Sequence, residues 1–326
     1  MISTLPKRQA GLSLVELMIA ITLSLLLIAG VLQIFLSSKQ TYATNNALSR
    51  VQESGRFAME FLTQDIRNTG YKGQCLGQPL THGTIDILWR LDNPIEGWND
   101  ITTKLPTHLT DTPVNGTDTL RIKFAAGPKE IQAATTNTAT NTSMSFGTNN
   151  TRVESNAITL VSDAISCDLL RNSSTTSTAV AKANATPAWT HAYTGMTEVL
   201  ALQNSTYYIR ANNGRPNSLV RQRLGVVSGA PSWLPAEELV DGVQDMQILY
   251  GIAGANRQVT DYVTANNVTN WDNVVAVRIN LLVVSADTNV VPENQVISFN
   301  GANVTIANRR LAQVFSTTIG IRNRLP

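Results

Sequence analysis

Near its start the chain reads Lys7-Arg8-Gln9-Ala10-Gly11-Leu12-Ser13-Leu14-Val15-Glu16-Leu17, and apolar sequence then continues to Leu36. No charged residue occurs between Glu16 and Lys39. At about 1.5 Å per helical residue, this interval is just long enough to cross a hydrocarbon core roughly 30 Å thick. The stretch therefore predicts a membrane-spanning helix to which the rest of the chain is attached.

Two cations before the apolar run, Lys7 and Arg8, set its orientation. Because basic residues favour the cytoplasmic side, the short N-terminus is expected inside and the remaining chain outside. A secretory signal has the same polarity, but its small-residue cleavage site follows the apolar region. Here Gly11 precedes the apolar run. Cleavage after Gly11 would remove both charges and leave the hydrophobic segment on the mature chain.

Glu16 is the residue of this stretch that calls for a function. A carboxylate at the edge of a membrane segment costs a few kcal/mol on insertion scales. Cleavage after Gly11 would create an amino terminus on Leu12, and the Glu16 carboxylate of one subunit could pair with that ammonium group on a neighbour. The alternative is that Glu16 lies at headgroup depth and is solvated. The residue alone leaves both interpretations open.

The segment from Gly11 to Glu16 resembles the type III signal of type IV pilins and type II secretion pseudopilins. That signal normally reads Gly, Phe, three further residues and Glu, and Leu12 stands here in place of Phe. The resemblance implies cleavage between Gly11 and Leu12 on the cytoplasmic face and N-methylation of Leu12 by the prepilin peptidase. It also implies that the helix assembles into a filament, with Glu16 as the assembly residue.

The helix is predicted to continue beyond the membrane to residue 68. Proline is absent from the sequence between Leu12 and Cys75, and Asn68 and Gly70 provide a stop signal. Apolar or small residues recur at steps of three or four, as on one face of an amphipathic helix: Leu48, Val51, Gly55, Ala58, Leu62 and Ile66. Such a helix would be on the order of 85 Å long. Its first half must therefore meet lipid or other subunits, while its second half packs under a head.

Composition disfavours nucleic acid as a partner. The 326 residues include 25 Lys and Arg and 23 Asp and Glu, so removal of Lys7 and Arg8 would leave 23 of each. A near-neutral chain without a basic stripe lacks the electrostatic footprint of a nucleic-acid-binding protein. Roughly 260 residues follow the helix, enough for one large domain or two small ones.

The chain has two cysteines, Cys75 and Cys167. In an oxidising periplasm they are expected to form a disulfide, which would stabilise the fold by up to about 4 or 5 kcal/mol on the chain-entropy model. The alternative is two separate buried thiols.

Residues 70 to 326 are expected to form a β-rich head. Gly and Pro interrupt residues 71 to 132, where strands are predicted at 85–91 and 119–125. Two tracts rich in Thr, Asn, Ser and Ala, 133–151 and 172–187, are expected to be exposed loops because they offer little apolar surface. Further strands are predicted at 157–161, 198–203, 206–210, 218–223, 274–284, 304–306 and 311–321.

Two segments of this later half resemble the PilW type of minor pilin. They are Leu239-Val240-Asp241-Gly242-Val243-Gln244-Asp245-Met246-Gln247-Ile248-Leu249-Tyr250-Gly251 and Trp271-Asp272-Asn273-Val274-Val275-Ala276-Val277-Arg278-Ile279. The J-type pseudopilin of secretion systems shares the same plan. Residues 71 to 235 carry no motif that resembles either.

The sequence predicts no enzyme and no cofactor. His82, His108 and His191 are isolated, without the His-x-x-x-His or Cys-x-x-Cys spacing of zinc sites, and are expected to be surface or structural residues. The segment 241–245 lacks the alternating oxygen ligands of a calcium loop. No catalytic residue and no metal ligand is therefore expected.

These observations predict an α+β protein: a long N-terminal helix packed on a large, mostly antiparallel β-sheet head. The expected divisions are a cleaved leader at 1–11, a transmembrane and filament-core helix at 12–38, an amphipathic helix at 39–69 and a periplasmic head at 70–326. The chain is expected in the inner membrane before assembly and in the pilus, at its tip, afterwards.

Three functions stay open: a type IV minor pilin that initiates assembly and forms the tip complex, a J-type pseudopilin of a type II secretion system, and a membrane-tethered periplasmic enzyme or binding domain. For the first, the resemblance implies these partners: other minor pilins, the major pilin, the prepilin peptidase, the inner-membrane assembly platform and a tip adhesin. Gly11 and Glu16 favour the first two functions because a simple tether needs neither residue.

Overall fold

The structure is a computed structural model that describes residues 13–102, 106–127 and 130–324. Helix α1 (Leu14–Asn68) begins directly after Ser13, whose Oγ accepts a hydrogen bond from the Glu16 backbone N–H at 3.2 Å. Gly70 follows the helix with φ +75°, a left-handed conformation that glycine adopts without steric cost. The predicted long helix is confirmed over its described length.

The buried face of α1 agrees with the predicted one at every position but the first. Val51, Ala58, Leu62 and Ile66 are buried, as is Gly55. The prediction that Leu48 starts this face is wrong, because Leu48 is 36% exposed. Its neighbour Ala47 is only 2% exposed and takes the buried position. Val290 and Val291 belong to the same core as Ala47, and Thr44, about one helical turn earlier, donates to the Val290 carbonyl, so the head meets the Ala47 side of α1 at this point.

The strands that follow α1 are, in chain order, β1 (Leu80–Thr81), β2 (Ile95–Trp98), β3 (Thr119–Ala126), β4 (Ile131–Gln132), β5 (Ser143–Ser145), β6 (Ile158–Ser162), β7 (Cys167–Arg171), β8 (Ala179–Ala181), β9 (Met196–Arg210), β10 (Ser218–Val227), β11 (Ala230–Trp233), β12 (Glu237–Asp241), β13 (Val243–Ala253), β14 (Val259–Val263), β15 (Val274–Val284), β16 (Val296–Phe299), β17 (Ala302–Thr305) and β18 (Ala312–Gly320).

The larger sheet is built on β9, which the sequence predicted as two strands and which is continuous. Strands pair in the order β1-β7-β6-β9-β10-β11. Strands β3 and β4 also pair with β9, β2 pairs with β3, and β12 pairs with β10. Apart from the parallel pair β1 and β7, these ladders are antiparallel. The predicted mostly antiparallel head is confirmed.

The smaller sheet has the order β14-β13-β15-β18 and is antiparallel throughout. The chain passes into it at Gly242, where φ is +84° and a Cβ would lie 2.7 Å from the Val284 carbonyl oxygen. Strand β15 has the predicted bounds. Its residues Val277, Ile279, Leu281 and Val283 share a core with α1, whereas Leu282 and Val284 pack under the β16–β17 hairpin.

Two predicted features of residues 71–187 are wrong. Residues 85–91 contain a 3₁₀ helix, Ile87–Trp89, rather than a strand, because the Asp86 carboxylate accepts the Leu88 N–H at 2.8 Å and closes a local turn. The two polar tracts are not simple loops. They pair as β5 and β8 and bury a small core that includes Met144, Val180 and Trp189.

Candidate functional site: the stem and its seat

The N-terminal end of the chain carries the predicted processing and assembly residues. Gly11 and Leu12 lie outside the described residues. Glu16 lies in the first turn of α1 and is exposed, and no ion pair involves its carboxylate within the described part of the chain. The negative charge sits at the positive end of the helix dipole, which favours it. The assembly role of Glu16 stays a prediction.

The first part of α1, residues 14–39 and here called the stem, leaves its apolar surface uncovered. Between Leu14 and Leu36 its large hydrophobic side chains are 51% to 75% exposed. The polar side chains inside this surface are satisfied by the helix itself, since Thr22 Oγ1 bonds the Met18 carbonyl at 2.8 Å and Ser24 Oγ bonds the Ala20 carbonyl at 2.7 Å. The helix is long and apolar enough to cross a membrane. A surface of this kind requires lipid or the apolar surface of other subunits.

A loop of the head, residues 285–291 and here called the collar, contacts α1 just after the stem ends. Gln40 Nε2 and Thr44 Oγ1 both donate to the Val290 carbonyl oxygen, at 2.8 and 2.5 Å. Val290 and Val291 are buried in the core beside Ala47. These contacts fix the point and the angle at which the stem emerges from the head.

The seat is the head surface that packs against residues 40–68, and Gly55 marks its closest approach. A Cβ placed at Gly55 would lie within 2.5 Å of three ring carbons of Phe315 on β18. Only glycine therefore allows the Phe315 ring to approach the helix backbone this closely. The seat thus depends on a helix residue that helix propensity alone would disfavour.

A polar cluster holds the far end of the seat. The Tyr207 hydroxyl donates to the Asp65 carboxylate, and the Arg221 guanidinium lies 3.7 Å from the same carboxylate. Burial, with the nearby Asp65 charge, raises the pKa of Tyr207, so the phenol stays protonated and remains a donor. Asn323 Nδ2 donates to the Thr69 carbonyl at 3.0 Å and so caps the helix end.

A groove of about 660 Å³ runs along one side of the seat, between α1 and β12. Phe57 and Phe61 line it and are 41% and 37% exposed. Its rim carries Glu53 and Asp241. The apolar surface of the stem therefore continues, in narrower form, along the outer side of the seated helix.

The two predicted cysteines are brought together. Cys75 and Cys167 are buried and joined as a disulfide with their Cα atoms 5.4 Å apart. The bond links the segment after α1 to β7, 92 residues further along the chain. That exported protein carries this bond in solution stays a prediction.

The histidines are held by structural partners. Buried His82 shares a 2.6 Å hydrogen bond with Asp168, and His191 Nε2 lies 2.8 Å from Asp163. His108 stacks on Trp233 with ring centroids 3.8 Å apart. Burial, and secondarily the Arg121 charge, lowers the pKa of His108 to about 3. Among the described residues no group of three or more His, Cys, Asp or Glu could hold a metal ion.

Two family models match the chain. Residues 6–32 match the prokaryotic N-terminal methylation motif, and residues 206–323 match PilW, the type IV pilus-assembly protein W. The matched segments, at the N-terminal helix and in the last third of the chain, are thus similar to prepilin-like proteins of the PilW type. A comparison with curated proteins finds no match. Among solved structures, the chain is similar to a type IV-like pilin from Thermus thermophilus, at 11% identity and a TM-score of 0.33 over 84% of this chain and 98% of that one.

The PilW-type match confirms the resemblance stated from residues 239–251 and 271–279, and it extends over the seat residues Tyr207, Val290 and Phe315. Sequence reasoning found the helix side of the seat but not its partners. Phe315 and Val290 lie about 250 residues from their helix contacts, as in the Gln40 bond to Val290. One signal could have suggested such a contact: Gly55 on an otherwise apolar helix face often marks a close approach.

Proposed function

We propose that this PilW-type chain is a minor pilin that takes part in initiating pilus assembly and remains in the tip complex. The observation that carries the proposal is the stem, an uncovered apolar helix between Leu14 and Leu36 fixed rigidly to a folded head. Such a helix can leave the membrane only if other subunits cover the same surface, which is what a helical filament core provides.

The size of the head supports a subunit used in few copies. The head comprises two sheets, the β16–β17 hairpin and the β5–β8 pair with its own small core. A head of this bulk, repeated at each helical step, would be hard to accommodate along a shaft. In this proposal the chain waits in the inner membrane with its head in the periplasm and meets the prepilin peptidase, the assembly platform, other minor pilins and the major pilin, with a tip adhesin as a further partner. The PilW-type match over residues 206–323 favours a pilus over a secretion pseudopilus.

Deleting the gene and complementing it with an epitope-tagged full-length chain tests the proposal. We expect the deletion to reduce the number of surface pili several-fold and immunogold label to lie at filament ends. A matched control is the same strain complemented with a tagged major pilin, which should label the whole shaft. Uniform label of the PilW-type chain along the shaft, or normal piliation in the deletion strain, would contradict the proposal.

A further inference from the structure

Strand β18 forms one edge of the smaller sheet, and the outer backbone groups of residues 314–318 have no hydrogen-bond partner within the described residues. The Leu311 carbonyl accepts from Ser285 and the Ile321 N–H donates to the Val275 carbonyl, so odd-numbered residues of this strand bond towards β15. The β15–β18 ladder runs without a register shift. Because bonding alternates along an antiparallel ladder, Val314, Ser316 and Thr318 direct their N–H and C=O groups outward.

This edge lacks the usual features that prevent a strand from pairing with another chain. Residues 312–320 contain no charge and no proline, and Ser316 and Thr318 are exposed. The first outward N–H, on Ala312, is already occupied by the Gln295 side chain at 2.7 Å, which limits the open edge to residues 314–318. An uncharged, unbroken edge of this length is a template for strand addition.

An open hollow lies beside this end of the sheet. It measures about 560 Å³ and runs along α1 from Arg56 past Met59 to Asn68, with Arg322 as its far wall. Arg322 follows β18 by two residues. Arg322 therefore shares this hollow with two arginines of α1, Arg56 and Arg67.

The charges around the edge select the occupant. Arg309 and Arg310 precede β18, and their guanidinium groups donate to neutral acceptors, the Asn289 side chain and the Ser285 carbonyl. Arg322 follows β18 and lines the hollow with two further arginines, Arg56 and Arg67, and one glutamate, Glu60. A second copy of β18 would place arginines beside arginines in either strand direction, which is unfavourable. An uncharged strand with a carboxylate at each end would instead place a negative charge beside the arginines at each end of β18.

We propose that the outer edge of β18, at residues 314–318, binds an extended, uncharged strand flanked by carboxylates that another polypeptide contributes. Main-chain hydrogen bonds would supply the affinity, and the arginines at each end would exclude basic or self-derived strands. The view that another subunit of the same filament contributes this strand rests on the proposed function. The binding of such a strand by β18 does not depend on that function.

The test uses the full chain in detergent micelles and a synthetic peptide of alternating Thr and Val with two Glu at each end. Ser316→Pro removes one outward N–H without removing a bond to β15, and Ser316→Ala is its matched control because it keeps that N–H. We expect at least tenfold weaker binding to Ser316→Pro and less than a twofold change for Ser316→Ala, measured by fluorescence anisotropy. A peptide with Lys in place of Glu should bind at least tenfold more weakly to the wild type.

Hydrogen–deuterium exchange gives an independent readout, since the amides of residues 314–318 should exchange more slowly when the Glu-flanked peptide is bound. Equal binding by both peptides, unchanged exchange at 314–318, or full binding to Ser316→Pro would overturn the proposal. If Ser316→Pro disturbs the fold, Thr318→Pro repeats the test at the next outward N–H. Sedimentation that shows self-association through this edge would overturn the choice of a foreign strand. None of these outcomes depends on filament assembly.

Discussion

Replacing Gly55 by alanine should destabilise the head, although the same change in an open helix would stabilise it. In a helix interior, alanine is favoured over glycine by about 1 kcal/mol. At Gly55 the new methyl group would lie within 2.5 Å of three Phe315 ring carbons. The ring must therefore move away from the helix backbone, and Phe315 also packs against the main core.

The magnitude follows from the two opposing effects. Overpacking of a well-packed core costs typically 1–3 kcal/mol, from which about 1 kcal/mol of helix propensity is subtracted. We expect a net loss of about 1 kcal/mol in the free energy of unfolding, or a decrease of roughly 2–4 °C in Tm for a domain of this size. Exposed Ser49, in the middle of the same helix, is the control: Ser49→Ala should change stability by less than about 0.5 kcal/mol.

A double-mutant cycle shows whether Phe315 is the cause. Phe315→Leu removes the ring carbons that meet the new methyl group, so Gly55→Ala should cost much less in that background and approach the stabilising effect of an open helix. Denaturant unfolding of the full chain in detergent, followed by near-UV circular dichroism, measures all four variants. Additive effects of the two substitutions, or a Gly55→Ala variant more stable than the wild type, would refute the close packing described here.

Four further predictions concern processing, assembly and pH. Mass spectrometry should find a mature chain that begins at a methylated Leu12, and recovery of the leader on membrane or filament protein from peptidase-competent cells would contradict this. Cys75 and Cys167 should resist alkylation in folded exported protein until reductant is added; labelling without reductant would mean free thiols. Glu16→Ala should leave synthesis, insertion and cleavage intact but reduce incorporation into filaments, since a neighbouring amine would lose its counter-charge at a cost of a few kcal/mol; normal piliation and partner recovery would show a solvated Glu16. The lowered pKa of His108, about 3, means that the unfolded chain binds a proton below pH 6.5 while the folded chain does not. Stability from His108 is therefore full above pH 6.5 and falls by about 1.4 kcal/mol per pH unit towards pH 3; His108→Phe should remove that slope in chemical unfolding curves, and an unchanged slope would show that other groups cause it.

Local sequence patterns predicted correctly those elements whose structure depends on their own residues. The length of α1, its end near Gly70 and the bounds of β15 follow from periodicity and stop signals along the chain. They failed where distant segments compete. Residues 85–91 have an apolar pattern suited to a strand, but they cover the larger sheet instead, where the Leu88 carbonyl accepts from Asn204 at 2.5 Å. The residues that follow this segment bury the polar face of β3 as well, since Lys123 Nζ donates to the Asp92 carbonyl at 2.7 Å.

The polar tracts show the same limit. Their Thr and Asn content predicts solvation, yet Asn137 and Asn172 use side-chain amides to satisfy backbone groups, as in the 2.9 Å bonds from Asn137 to the Ser145 and Tyr193 carbonyls. The residues of the candidate site likewise fall into those that local sequence predicts and those that it does not. Glu16 is placed by local sequence, whereas the collar depends on a bond between Gln40 and Val290 across 250 residues, which no local pattern contains.

The way the collar holds α1 determines how the molecule responds to mechanical load. Roughly 40 Å of helix projects beyond Gln40. A tensile force along that axis acts in shear on the whole seat at once, from the Val290 carbonyl to the Asn323 side chain, so these contacts must break together. A sideways force acts on the projecting helix as on a lever and is resisted first by the collar alone. Withdrawal of the helix from the head should therefore demand far more work than a change in its tilt.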